Sequence, residues 1–223
     1  MAIESSQLLL LLNWMSPAFP IGAYAYSHGL EWAIESGEVT TREDVEEWIA
    51  DVITRGSGWN DAVLFVLSYE QDVNELALAL CSSKERHLET TQLGEAFRIA
   101  AATFTPQSGE KEGAHRFSDG KDEGPLAYPV SAARACKAMD IDCNYALLAF
   151  LQGFSNALIS VAVRLIPIGQ VAGLEIMRNL MPIISKTAAR AKAATLNDLG
   201  SITLLSDVTS MKHEEQHSRI FRT

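Results

Sequence analysis

From Cys143 to Val163 the chain runs 21 residues without a charged side chain, and this stretch constrains the fold more than any other. By length it could span a bilayer as one helix. It also carries Asn144, Gln152, Ser155, Asn156 and Ser160, whose polar groups would need partners in lipid. A central helix wrapped by other helices satisfies both facts. The rest of the sequence must then supply the wrapping.

It supplies helices. Val45, Trp48, Ile49, Val52 and Ile53 recur at the spacing of one apolar helical stripe, and Leu93, Ala96, Phe97, Ala100, Ala101 and Phe104 repeat it. Thr40 with Glu43, and Ser82 with Glu85, read as capping boxes opening those two helices. A leucine-rich helix is expected from Glu4 to Trp14, stopping before Pro17, and a second from Tyr24 to Ser36 with Gly37 as its stop. Pro129 suits the first turn of a short helix to Ala138. A long helix from Gln170 to Ala194 should kink at Pro182. Ile202 to Leu205 is the one short β candidate. The fold class that follows is all-α: a single-domain helical bundle of about eight to ten helices, spanning 1–209, with a flexible C-terminal tail at 210–223. The charged, glycine-rich stretch 106–125 (PQSGEKEGAHRFSDGKDEGP) has no apolar period and reads as a mobile loop.

Charge narrows the function. The net charge is −10, which argues against nucleic acid as a partner. Residues 164–223 reverse the sign, with eight basic side chains against five acidic, giving an end suited to acidic protein surface. The first basic residue is Arg42, so the leucine run Leu8–Leu12 lacks the positive flank of a signal peptide. Three cysteines without CxxC spacing fit a reducing compartment. A soluble cytoplasmic protein with no membrane partner is expected.

Few motifs carry chemistry. His213-Glu214-Glu215-Gln216-His217 is a literal HExxH, the pattern of a zinc hydrolase with Glu214 as base. Only six residues follow His217, too few for the usual downstream third ligand, so this reading stays the alternative and no metal ligand is assigned. Ser27 beside His28 suggests hydrolase chemistry, but neighbours on a helix point apart. A glycine in mid-helix, Gly29, suggests close helix approach. No catalytic residue emerges, and the chain reads as a non-enzyme.

Four stretches remain: SPAFPIGAYAYSHGLEWAIESG (16–37), Trp48 with Asp61, RLIPIGQVAG (164–173) and SMKHEEQHSRIFRT (210–223). Together, and in this order, they resemble the UreF family of urease accessory proteins. The ending is the most specific, because the family pattern is close to S-M-[RK]-H-E-x-Q-x-S-R-[LI]-F-[RK]. The position of His217 is commonly Tyr in that pattern, so the HExxH here reflects one substitution. The 106–125 loop is longer and more charged than the family pattern, and nothing is carried onto it.

The resemblance implies an all-helical chaperone of nickel insertion with no cofactor of its own, nickel passing through the assembly as cargo. It implies a homodimer that binds UreD (also called UreH), recruits the GTPase UreG through that complex, engages apo-urease and modulates GTP hydrolysis by UreG. The tail residues Ser210, Met211, Lys212, His213, Glu214, Gln216, Ser218, Arg219, Phe221 and Arg222 are the expected partner-binding set, with Phe221 as apolar anchor between two arginines. Pro20, Gly22, Tyr26, Ser27, Gly29, Glu31, Pro167, Gly169 and Gln170 are the expected structural or interface set. On this reading the apolar stripes that build the core all lie upstream of Ser210.

Overall fold

The computed structural model describes residues 2–104, 124–200, 204–213 and 219–222; for 204–207 only the backbone is described. Among these residues ten α-helices and two 3-10 turns form, with no strand. The helices are α1 (Ser5–Trp14), α2 (Leu30–Glu35), α3 (Arg42–Arg55), α4 (Ser57–Leu67), α5 (Asn74–Ala79), α6 (Lys84–Ala101), α7 (Tyr128–Ala138), α8 (Cys143–Leu165), α9 (Gly169–Lys192) and α10 (Leu204–His213). The 3-10 turns are Ala23–Ala25 and Leu196–Asp198.

The charge-free run becomes α8, which α9, α2, α3, α4, α7 and α1 pack around. By length and composition it could cross a membrane, yet half of its most apolar window is inside the bundle. Ser155 is buried there and returns its hydroxyl to the Leu151 carbonyl at 2.8 Å, which satisfies it without a partner helix. Gln152 and Asn156 sit on the outer side, in a groove of about 330 Å³ shared with Leu8, Leu12 and Met15 of the α1 region. Beneath, a chain of rings links the elements. Trp14 meets Phe97 at 5.8 Å, Phe97 meets Tyr128 at 5.8 Å, Tyr128 meets Phe150 at 5.2 Å and Phe150 meets Phe65 at 5.0 Å. Edge and tilted geometries of this kind add to plain burial.

The α3 stripe is buried as its spacing predicts. Its cap lies one residue further along. The Thr41 hydroxyl accepts from the Asp44 amide, and the Asp44 carboxylate accepts from the amides of Thr40 and Thr41, both at 2.9 Å. Those backbone bonds hold the Asp44 carboxyl down at about 2. Glu43, expected in that role, pairs instead with Arg42 at 2.6 Å. At α6 the Ser83 hydroxyl caps the Arg86 amide at 3.0 Å, and Glu85 turns inward. Phe104, expected on the buried stripe, is exposed beyond the helix end.

Two other expectations change. The helix expected over 24–36 is a 3-10 turn and the short α2, broken where His28 and Gly29 both take positive φ. Gly29 is therefore the residue before α2 and not a mid-helix glycine. Leu204 and Leu205 lie in α10 and not in a strand. The long helix expected from Gln170 is α9, with Pro182 inside it. The loop expected at 106–125 falls almost wholly outside the described residues.

One helix crossing fixes α6 against α7. A Cβ on Gly94 would lie 2.0 Å from the carbonyl oxygen of Leu126, so only glycine lets that strand of chain cross. The Ser131 hydroxyl then reaches the Gly94 carbonyl at 2.8 Å and Thr90 caps the Tyr128 amide at 3.0 Å.

Candidate functional site

The α2 stretch and the C-terminal stretch, far apart in sequence, form one seat. Gly29 takes a φ of +76°, and a Cβ there would lie 2.5 Å from the Thr209 hydroxyl and 2.8 Å from the Ser210 amide. The missing side chain lets α10 settle onto the start of α2. Thr209, Ser210 and His213 are buried by this contact, and the Ser210 hydroxyl lies 3.0 Å from that of Ser83 at the start of α6.

Two carboxylates organise the seat. Glu31, 5% exposed, accepts from the Ile220 amide at 2.7 Å on Oε1 and from the Phe221 amide at 3.0 Å on Oε2, which also lies 2.9 Å from His213 Nε2. Glu85, 6% exposed, lies 3.0 Å from His213 Nδ1 and accepts from Arg219 at 2.8 Å. Burying these carboxylates is tolerable because each meets several polar partners, the Arg219 guanidinium among those of Glu85. The Phe221 ring is 3% exposed and belongs to the main core, with the Arg164 guanidinium 4.4 Å above it. Arg222 ties the end down, its amide donating to the Ala25 carbonyl at 2.7 Å and its guanidinium to Gln92 at 3.3 Å. Tyr26 donates to the same Gln92 oxygen at 2.6 Å, and burial pushes its phenol up.

A second charged layer lies under the first. His28 Nε2 meets Glu89 at 2.8 Å, and Arg86 bridges Asp61 at 2.5 Å and Glu89 at 3.0 Å. Burial alone would raise the Glu89 carboxyl, but the charges of His28 and Arg86 outweigh it and hold it at about 2. For Asp61 burial wins, and its carboxyl is raised despite Arg86. Asp61 and Arg86 border a cavity of about 40 Å³ with Ser57 and Cys81, room for a water or two. The Ser57 hydroxyl is 3.5 Å from His28 Nδ1. That is too long for an activated nucleophile, and the cavity is too small for an organic substrate.

These positions revise the expected roles. Tyr26, Ser27, Gly29 and Glu31 do come together with Ser210, His213, Arg219, Phe221 and Arg222. But Phe221 and His213, expected to face a partner, are buried in this chain, where Glu31 and Glu85 meet the incoming amides and imidazole. The described parts of the tail, 210–213 and 219–222, are folded onto the body, and the core does not end upstream of Ser210. Met211, Lys212, Arg219, Ile220 and Arg222 remain exposed. Glu214, Gln216, Ser218 and His217 lie outside the described residues. For the zinc alternative, His213 could offer no nitrogen, since each of its two faces a carboxylate. Pro20, Pro167, Gly169 and Gln170 are exposed away from the seat; from the 164–173 stretch only Arg164 reaches it, donating also to the Tyr24 carbonyl at 2.8 Å.

Sequence reasoning missed Glu85, Glu89, Ser83, Gln92 and Thr209. One signal was there. Glu85 and Glu89 sit at i−8 and i−4 from Leu93, in register with the buried stripe that continues through Phe97 to Ala101. Carboxylates on the apolar face of a helix mark buried partners.

The comparisons agree with this architecture. The UreF family model matches residues 39–181. The urease accessory protein UreF of Methylobacterium sp. (strain 4-46) is 41% identical over 96% of this chain and 88% of its own length. UreF 1 of Brucella anthropi is 41% identical over 98% and 95%, and UreF of Ruegeria pomeroyi 38% over 97% of both chains. With a family model matched over more than half of the chain and nearly full-length similarity to these relatives, the chain belongs to the UreF family of urease accessory proteins.

Proposed function

We propose that the protein is a non-enzymatic docking factor in urease maturation. The observation that carries this reading is the seat's outer rim. Its buried charges satisfy one another, while Met211 is 49% and Ile220 72% exposed beside the exposed cations Lys212, Arg219 and Arg222. Apolar anchors ringed by cations suit an acidic protein surface. The segment 210–223 is thus a partner-binding element, and in its described parts, 210–213 and 219–222, the inner face is taken up by the fold of this chain. The partner is UreD (UreH), and through it UreG and apo-urease, with nickel as cargo. A homodimer in the cytoplasm belongs to the same reading.

Capture of UreD by the purified full-length chain tests it. Replacing Met211 and Ile220 together by Asp should abolish capture and leave the helical circular dichroism unchanged. Wild-type capture by that double variant overturns the assignment of the rim. Modulation of UreG follows from docking and not from an inserted arginine, because Arg219 is held by Glu85. In single-turnover GTP hydrolysis with UreD present, Arg222→Ala should therefore change the UreG rate by far less than the roughly thousandfold of an arginine finger.

A further inference from the structure

We infer that the outer face of α1 and α8 is the surface on which two copies of this chain meet, in an antiparallel two-fold contact centred on Gln152. The residues that form it take no part in the rim of Met211 and Ile220, so the inference goes beyond the docking reading and can fail without it.

On α1, Leu8, Leu9 and Leu12 are 44%, 67% and 64% exposed. Beside them runs the groove of about 330 Å³, whose other wall includes Ala149, Gln152 and Asn156 of α8. A leucine ridge left in water along a groove marks a contact surface. The face is also free of charge, since no Asp, Glu, Lys or Arg occurs from Ser5 to Ser27 or from Cys143 to Val163. Its polar content is amides. Gln152 and Asn156 are half-buried, and among the described residues neither side chain has a hydrogen-bond partner. A side-chain amide both donates and accepts, so it is complementary to a copy of itself. Leucines and amides without charge therefore suit the same face of a second copy. Each chain carries a net charge of −10, and two copies repel least through a face that contributes none of it.

The ends of α8 set the orientation. Asp142, Ala149, Gln152, Asn156, Ser160 and Arg164 follow one another at the spacing of one helical face. Asp142 is exposed just before the first turn and Arg164 is exposed in the last. A parallel pairing would set Asp142 against Asp142. An antiparallel one sets the acidic end of each copy against the basic end of the other, and opposes the two helix dipoles favourably. Position 153 lies midway between 142 and 164, so Gln152 of each copy falls beside the axis. The same turn places α1. It flanks only the first half of α8, from Gln7, which donates to the Asp140 carbonyl at 2.9 Å, to Met15, whose carbonyl oxygen would lie 3.1 Å from a Cβ on Gly153. The two-fold turn carries the leucine ridge of each copy towards the second half of α8 in the other. Such a contact uses the same patch twice and closes at two copies.

Sedimentation of the full-length protein at micromolar concentration tests the surface by exchanging charge at the axis. The wild type should sediment at twice the mass of one chain. Gln152→Glu and Gln152→Lys each set like charges face to face. Each should sediment as a monomer, with helical circular dichroism unchanged because the side chain is half-exposed. Mixed in equal amounts, the two variants should recover the dimer, because residue 152 meets residue 152 only across the two-fold axis. A dimer that survives both substitutions overturns the assignment, as do monomeric variants that fail to pair when mixed. A wild type that stays monomeric overturns it too. Flotation with phosphatidylcholine vesicles, or UreD capture lost in Gln152→Glu, would then name lipid or UreD as the occupant. A wild-type dimer that fails to capture UreD sinks the docking reading alone and leaves this surface standing.

Discussion

Phe221 shows how burial changes what a residue is for. As an exposed anchor its loss would weaken only a partner complex. As a core residue under Arg164, its truncation to Ala should cost about 3 kcal/mol of seating free energy, seen as lost exchange protection in α10 before any partner is added. Lys212→Ala, which removes only an exposed cation over Trp32, should cost under about 1 kcal/mol and less at high salt. Glu89 gives the acid side of stability. Its carboxyl is depressed in the folded state, so the stability it contributes is complete above its unfolded value and lost as pH falls towards about 2. A Glu89→Gln variant should be less stable at neutral pH, and its urea midpoint should fall less steeply through that acid window than that of the wild type.

At the scale of elements, two glycines hold helices at distances no other residue permits. Gly94→Ala drives a Cβ into the Leu126 backbone carbonyl and should cost about 3 kcal/mol of global stability, read from urea unfolding. Gly29→Ala meets Thr209 and Ser210 and carries positive φ as well. Its effect should be local: exchange in α10 rises while α8 stays protected. The helices themselves were legible. The stripes of α3 and α6, the wrapped α8 and the proline-started α7 all follow from period and caps. What periodicity could not reveal was pairing. Ser82-Ser83-Lys84-Glu85 reads as a capping box until α10 is in place, because one partner of Glu85 lies 128 residues away. Glu31 stood out in its stretch, yet only the folded chain shows that it binds His213, 182 residues downstream.

For the molecule as a whole, the charge asymmetry of the sequence is partly an internal matter. Some of the basic excess of the C-terminal part answers acidic groups of the N-terminal part, through Arg219 and Glu85, and through Arg42 and Glu175 in the opposite sense. Deleting 210–223 would leave Glu31 and Glu85 without these partners and expose the site that Phe221 fills. The truncated protein should keep most of its helical circular dichroism but melt at a lower temperature than the intact chain, in contrast to the unchanged melting expected of a free tail.

The central position of α8 has a consequence during synthesis. Ribosomes deliver it before α9, its most extensive cover, and adding the 24 residues of α9 takes on the order of one to five seconds. Throughout that interval the nascent chain presents a helix whose charge-free run is long enough to be taken for a membrane anchor. Translation arrested just after Ile168 should therefore yield nascent chains that bind ribosome-associated chaperones or signal recognition particle, whereas chains extended past α10 and released should not.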